Sequence, residues 1–83
     1  MTHYRSLYGM IEYVEKRIHY ASSDGQSDTI AEIPVFHTDL PTYNALEITN
    51  ELAQHFTDMG YYVRKVSARK LYISWRYPRK HVR

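Results

Sequence analysis

The chain has 83 residues, a formal net charge of +2 and no cysteine. That length makes one domain with a modest core and little room for a deep substrate cavity. The missing cysteines exclude a disulfide framework, a thiolate nucleophile and any thiolate-ligated zinc or iron–sulfur centre. Hydrophobic residues make up 43% of the chain and charged residues 24%, a balance that supports a globular fold rather than a disordered one.

Residues 6–21 read as a first helix. Leu7, Ile11, Val14, Ile18 and Ala21 recur at spacings of three and four, and Met10 and Tyr13 widen the stripe. Ser6 is the N-cap candidate, Gly9 weakens the first turn, and the pairs Tyr4/Tyr8 and Glu12/Lys16 stand one helical turn apart. The stretch Ser22-Ser23-Asp24-Gly25-Gln26-Ser27-Asp28 ends that helix as a polar loop. Its aspartates lack the spacing and number of an EF-hand calcium loop.

Residues 29–36 read as a strand on the strength of Ile30, Ile33, Val35 and Phe36. Pro34 cannot donate to a ladder, so this strand belongs at a sheet edge. Asp39 or Thr42 is expected to cap a second helix with Pro41 at its start, running to about residue 58. Ala45, Ile48, Leu52, Phe56 and Met59 form its apolar face, and Gly60 falls where a left-handed C-cap is expected.

Two strands follow, over 61–66 and 70–77, with Ser67-Ala68-Arg69 near the turn. Alternation puts Leu71, Ile73, Trp75 and Tyr77 on one face and Tyr72, Ser74 and Arg76 on the other. In the preceding strand Tyr61 and Val63 oppose Tyr62 and Arg64, and Val66 breaks the pattern, which predicts a bulge or an early turn.

The element order predicts an α+β fold, α-β-α-β-β, with a three-stranded sheet in the order 1-3-2. The crossover through the second helix makes the first two strands parallel. The third strand is the most apolar and belongs in the middle, with both helices covering one face. Residues 1–77 form the domain and residues 78–83 a basic tail.

The opposite face is then open. It is expected to display Tyr62, Arg64, Tyr72, Ser74 and Arg76, residue types common in interface hot spots and equally suited to stacking unpaired bases. Charge concentrates nearby. Residues 64–83 carry eight lysines and arginines and no acid, whereas residues 1–63 carry nine acids and three such bases. This asymmetry points to an anionic partner surface, or else to neutralisation within the fold. The nine tyrosines suit either an interface or the margin of a small core.

His3, His19, His37, His55 and His81 show no metal-binding spacing, and no nucleophile elbow or phosphate-binding glycine loop occurs. His37 and Asp39 lie close together at a strand-to-helix loop, which is ordinary loop hydrogen bonding. No enzyme activity, cofactor or metal is expected. No stretch nears the roughly 18 apolar residues of a membrane span, nor does an apolar signal segment follow Met1-Thr2-His3-Tyr4-Arg5.

Leu52…Phe56…Met59-Gly60-Tyr61-Tyr62-Val63 followed by Leu71-Tyr72-Ile73-Ser74-Trp75 resembles small, largely uncharacterised proteins of tailed bacteriophages and large DNA viruses. The likeness covers about forty residues of the C-terminal half and transfers no functional residue. It implies a virion component or an accessory protein that acts in the host cytoplasm. The partner-binding candidates are Tyr62, Arg64, Tyr72, Arg76, Arg79 and Lys80. The expected partner is another protein of the virion or host, with a homodimer through an edge strand and nucleic acid bound by the basic hairpin and tail as the alternatives.

Overall fold

The computed structural model describes residues 2–76. Its elements are α1 (Thr2–Ser23), β1 (Asp28–Glu32), α2 (Ala45–Asp58), β2 (Tyr62–Ser67) and β3 (Lys70–Ser74). The sheet order is β1-β3-β2 and both pairings are antiparallel, so β1 and β2 are parallel across the α2 crossover, as the sequence predicts. Tyr77, Arg79, Lys80 and the rest of the expected tail lie outside the described residues.

Both helices lay their apolar stripes on one side of the sheet. The core comprises Met10, Val14 and Ile18 of α1, Ile48, Leu52 and Phe56 of α2, Ala31 and Ile33, and Leu71 and Ile73 of β3. Met10, expected to flank the α1 stripe, is fully buried, whereas Leu7 and Ile11 are only partly so. Met59, expected inside, is 57% exposed because α2 has already ended at Asp58.

Both helices end on a pair of backbone bonds closed by a glycine. After α2, Tyr61 N–H reaches Phe56 O and Gly60 N–H reaches Thr57 O, with Gly60 at φ 104°. A Cβ is costly in that left-handed region, so glycine is favoured there, and the Phe56 and Tyr61 rings pack 5.8 Å apart as the accompanying apolar contact. After α1, Gln26 N–H reaches Ala21 O and Gly25 N–H reaches Ser22 O, with Gly25 at φ 83°.

Several boundaries differ from the sequence reading: α1 spans Thr2–Ser23 rather than 6–21, β2 is Tyr62–Ser67 rather than 61–66, and β3, expected to run on to residue 77, ends at Ser74, so Trp75 and Arg76 lie beyond the strand. Ser6 is no cap: it sits inside α1, fully buried, and its hydroxyl donates to Pro41 O at 3.1 Å. Neither Asp39 nor Thr42 caps α2; the Asn44 side chain does, accepting from Glu47 N–H at 3.1 Å. β1 stops at Glu32, not at Phe36. Glu32 faces Lys70, the first residue of β3, and Ile33 N–H makes one further bond to Arg69 O at 2.7 Å. Beyond that the partner strand has turned away at Ala68-Arg69, so Val35 and Phe36 have no ladder to join and are 66% and 69% exposed.

The irregularity expected at Val66 is a β-bulge. The β2–β3 register shifts between Lys65, opposite Leu71, and Ser67, opposite Lys70.

Candidate interaction face

The register arranges the open face in two rows across the sheet. Arg64, Tyr72 and Ile30 form one; Tyr62, Ser74 and Asp28 form the other. Arg64 places its guanidinium carbon 5.8 Å from the centre of the Tyr72 ring. Tyr62 meets the same ring edge-on at a centroid distance of 6.2 Å. Each contact stabilises the cluster modestly, about 0.5–1 kcal/mol for the exposed cation–π pair and about 0.5–1.5 kcal/mol for the aromatic pair. Their effect is to hold the cluster in place before any partner arrives.

Tyr72 is further anchored by its hydroxyl, which donates to Asp28 Oδ2 across the sheet at 2.8 Å. Arg76 Nε donates to Ser27 Oγ at 2.8 Å, which lays that side chain toward the β1 end of the face. The structure therefore brings together Tyr62, Arg64, Tyr72 and Arg76. It corrects one member: Ser74 is buried, accepting from Arg76 N–H at 3.3 Å with its hydroxyl 3.4 Å from Ser27 O, so it contributes no surface. Residues of β1 complete the face. Ile30 is 48% exposed beside Tyr72, and Asp28 and Glu32 place acids along the β1 margin. Ile30 has a sequence signal, since strict alternation from the buried Ala31 puts it on this side.

The Tyr72–Asp28 bond is readable by titration. Donation to Asp28 is the largest cause of a raised Tyr72 pKa, followed by desolvation and by the Asp28 charge. A folded-state pKa above the unfolded one means that the bond's stabilisation is complete below pH 10. It is lost as pH rises through the folded pKa and the phenol ionises. In Asp28→Ala, Tyr72 should titrate at lower pH than in the parent, followed by tyrosinate absorbance with Tyr72→Phe as the assignment control. An unchanged curve would mean that the bond does not form.

The His37–Asp39 pair behaves as a loop. Asp39 N–H donates to His37 Nδ1 at 3.2 Å, and the imidazole stands edge-on to Tyr13 at 6.3 Å. Glu12, Lys16 and Leu40 join these residues around a cleft of about 230 Å3. Among the described residues no three His, Asp or Glu side chains gather as a metal site. Among the same residues no helix is long and apolar enough to cross a membrane.

Comparison with protein-family models, with curated proteins and with solved structures returned no match to this chain.

Proposed function

We propose that this chain is a non-enzymatic protein-interaction module that uses the open Tyr/Arg face of its sheet. The observation that carries the reading is the Arg64–Tyr72–Tyr62 cluster, ordered by its own contacts and by Asp28 on a face that neither helix covers. Tyrosine and arginine fixed in position lose little conformational entropy on binding, which is why such residues concentrate binding energy.

The acids favour a protein over a nucleic acid. A phosphate backbone crossing the sheet from Arg64 would meet a β1 margin where Asp28 and Glu32 flank Ile30. A protein surface of mixed charge meets both margins favourably. The likeness of the C-terminal half to small phage and viral proteins supports a partner in the virion or on a host factor, and a role as virion component or accessory protein.

The test compares the parent with the double variant Arg64→Ala/Tyr72→Ala in cross-linked recovery from virions or from host cells. Loss of two hot-spot residues should weaken a specific complex by about 30-fold or more. Equal recovery of every partner by both proteins would overturn the reading. So would tight binding of a single-stranded oligonucleotide at roughly 50 mM salt that the double variant abolishes, because phosphate contacts are strongest there.

A further inference from the structure

The two edges of this sheet are not equivalent. The bonds Ile33 N–H to Arg69 O and Trp75 N–H to Ser27 O bracket the β1–β3 ladder. They show that Arg69, Leu71, Ile73 and Trp75 bond toward β1, so Lys70, Tyr72 and Ser74 bond toward β2. On β1, Ile30 and Glu32 consequently turn their carbonyls to the free edge. Each is taken by a side chain of α1: Arg17 Nη2 donates to Ile30 O at 2.7 Å, and Tyr13 OH to Glu32 O at 3.1 Å. The next outward carbonyl, Pro34 O, accepts from Tyr43 OH at 2.7 Å. The prolyl nitrogen has no hydrogen to offer. Three outward carbonyls along the β1 edge are thus occupied by side chains of the chain itself.

The β2 edge has no such cover among the described residues. Tyr62 and Arg64 face Ser74 and Tyr72 and make the ladder bonds, so Val63 and Lys65 present their N–H and C=O groups outward. The nearby polar side chain from α2, Asn50, accepts from Lys65 Nζ at 2.6 Å and leaves the Lys65 backbone free. Exposed strand edges are usually blunted; on β1 three outward carbonyls are taken by side chains, whereas β2 carries Lys65 and a bulge but no side chain bonded to its outward backbone among the described residues.

Charge identifies the occupant. Residues 62–76 carry Arg64, Lys65, Arg69, Lys70 and Arg76 and no acid. A second copy pairing β2 with β2 would bring two such hairpins together, with like charges accumulating along the seam. An acidic strand meets complementary charge instead.

We infer that β2 accepts an added strand: an extended, acidic segment of a partner protein that bonds to the backbone of Val63 and Lys65 and sets carboxylates beside Arg64. This deepens the protein-interaction reading and rests on it, but places the main-chain contacts on the edge rather than on the Tyr72 row.

The probe is a synthetic eight-residue peptide alternating Glu and Val, with a Lys/Val peptide of the same length as control. Both are titrated into isotope-labelled protein and followed by backbone amide shifts. The acidic peptide should shift the Val63 and Lys65 amides and bind about three- to five-fold more tightly than the basic one, since one exposed ion pair with Arg64 supplies up to about 1 kcal/mol. Lys65→Pro removes one outward donor without touching the β3 ladder and should abolish binding. Lys65→Ala keeps the donor and should bind within about three-fold of the parent, the scale of a single exposed ion pair. Native-like shifts elsewhere in Lys65→Pro show that it folds. Equal binding of Lys65→Pro and the parent overturns the inference, as do shifts confined to the Tyr72 row or a concentration-dependent dimer that occupies the edge without peptide. If Tyr72→Ala weakens capture of the native partner while Lys65→Pro does not, the edge inference fails and the face reading stands.

Discussion

Phe56→Ala should destabilise the domain by about 3–5 kcal/mol, the usual cost of emptying a buried phenylalanine site. Phe56 is fully buried, heads the large side chains of the core and touches the ring of Tyr61 just beyond Gly60. Losing it leaves a cavity between α2 and the sheet and removes the apolar contact that closes the α2 C-terminus. A domain this small holds about 5–15 kcal/mol in all, so the variant should unfold at much lower denaturant concentration and lie near the limit of folding at 37 °C. Urea denaturation followed by far-ultraviolet circular dichroism measures it. A loss under about 1 kcal/mol would mean that Phe56 does not fill the space between helix and sheet.

The second large effect comes from adjacent residues on β3 that point in opposite directions. Leu71 is fully buried beneath the helices, and Tyr72 is half-buried on the open face. Leu71→Ala should cost about 2–5 kcal/mol. Tyr72→Ala forfeits only surface packing and one hydrogen bond, and should cost about 1 kcal/mol. The contrast matters because a strand displaced by one residue would exchange the two faces. Comparable losses in the two variants, or a larger loss for Tyr72→Ala, would remove the structural basis for a Tyr/Arg interaction face. The expected result also makes Tyr72→Ala a sound binding variant, since its fold survives.

The open face and the unpaired β2 edge combine into one picture of engagement. On this face β2 supplies Tyr62 and Arg64 and β1 supplies Asp28 and Ile30, and the unpaired main chain of Val63 and Lys65 lies at the β2 side. A partner strand added at β2 would lie alongside Arg64 and Tyr62, where the aromatic–cation cluster is already ordered. Main-chain bonding would then supply affinity, and the side chains of the adjoining face would supply selectivity.

The sequence by itself determined the architecture. The apolar residues Leu71 and Ile73 placed β3 at the centre and the crossover rule made β1 parallel to β2; β1 is an edge strand as expected, although Pro34, read as part of it, lies beyond its end at Glu32. Period-two alternation then assigned Tyr62, Arg64, Tyr72 and Arg76 to one face, and the break at Val66 marked the bulge. These signals are local or follow from general chain geometry, so they do not depend on which distant residues meet. Tertiary structure alone decided what depended on partners distant in sequence. β1 ends where the β3 hairpin turns away, Ser6 is buried because its hydroxyl meets Pro41, and Ser74 withdraws from the face because Ser27 and Arg76 take its polar atom. The occupation of outward carbonyls along the β1 edge by Tyr13, Arg17 and Tyr43 depends on side chains from α1 and the loop before α2 reaching them. No spacing rule records such side-chain-to-backbone bonds, because any polar residue on the right element satisfies them, and only the packed arrangement shows which one arrives.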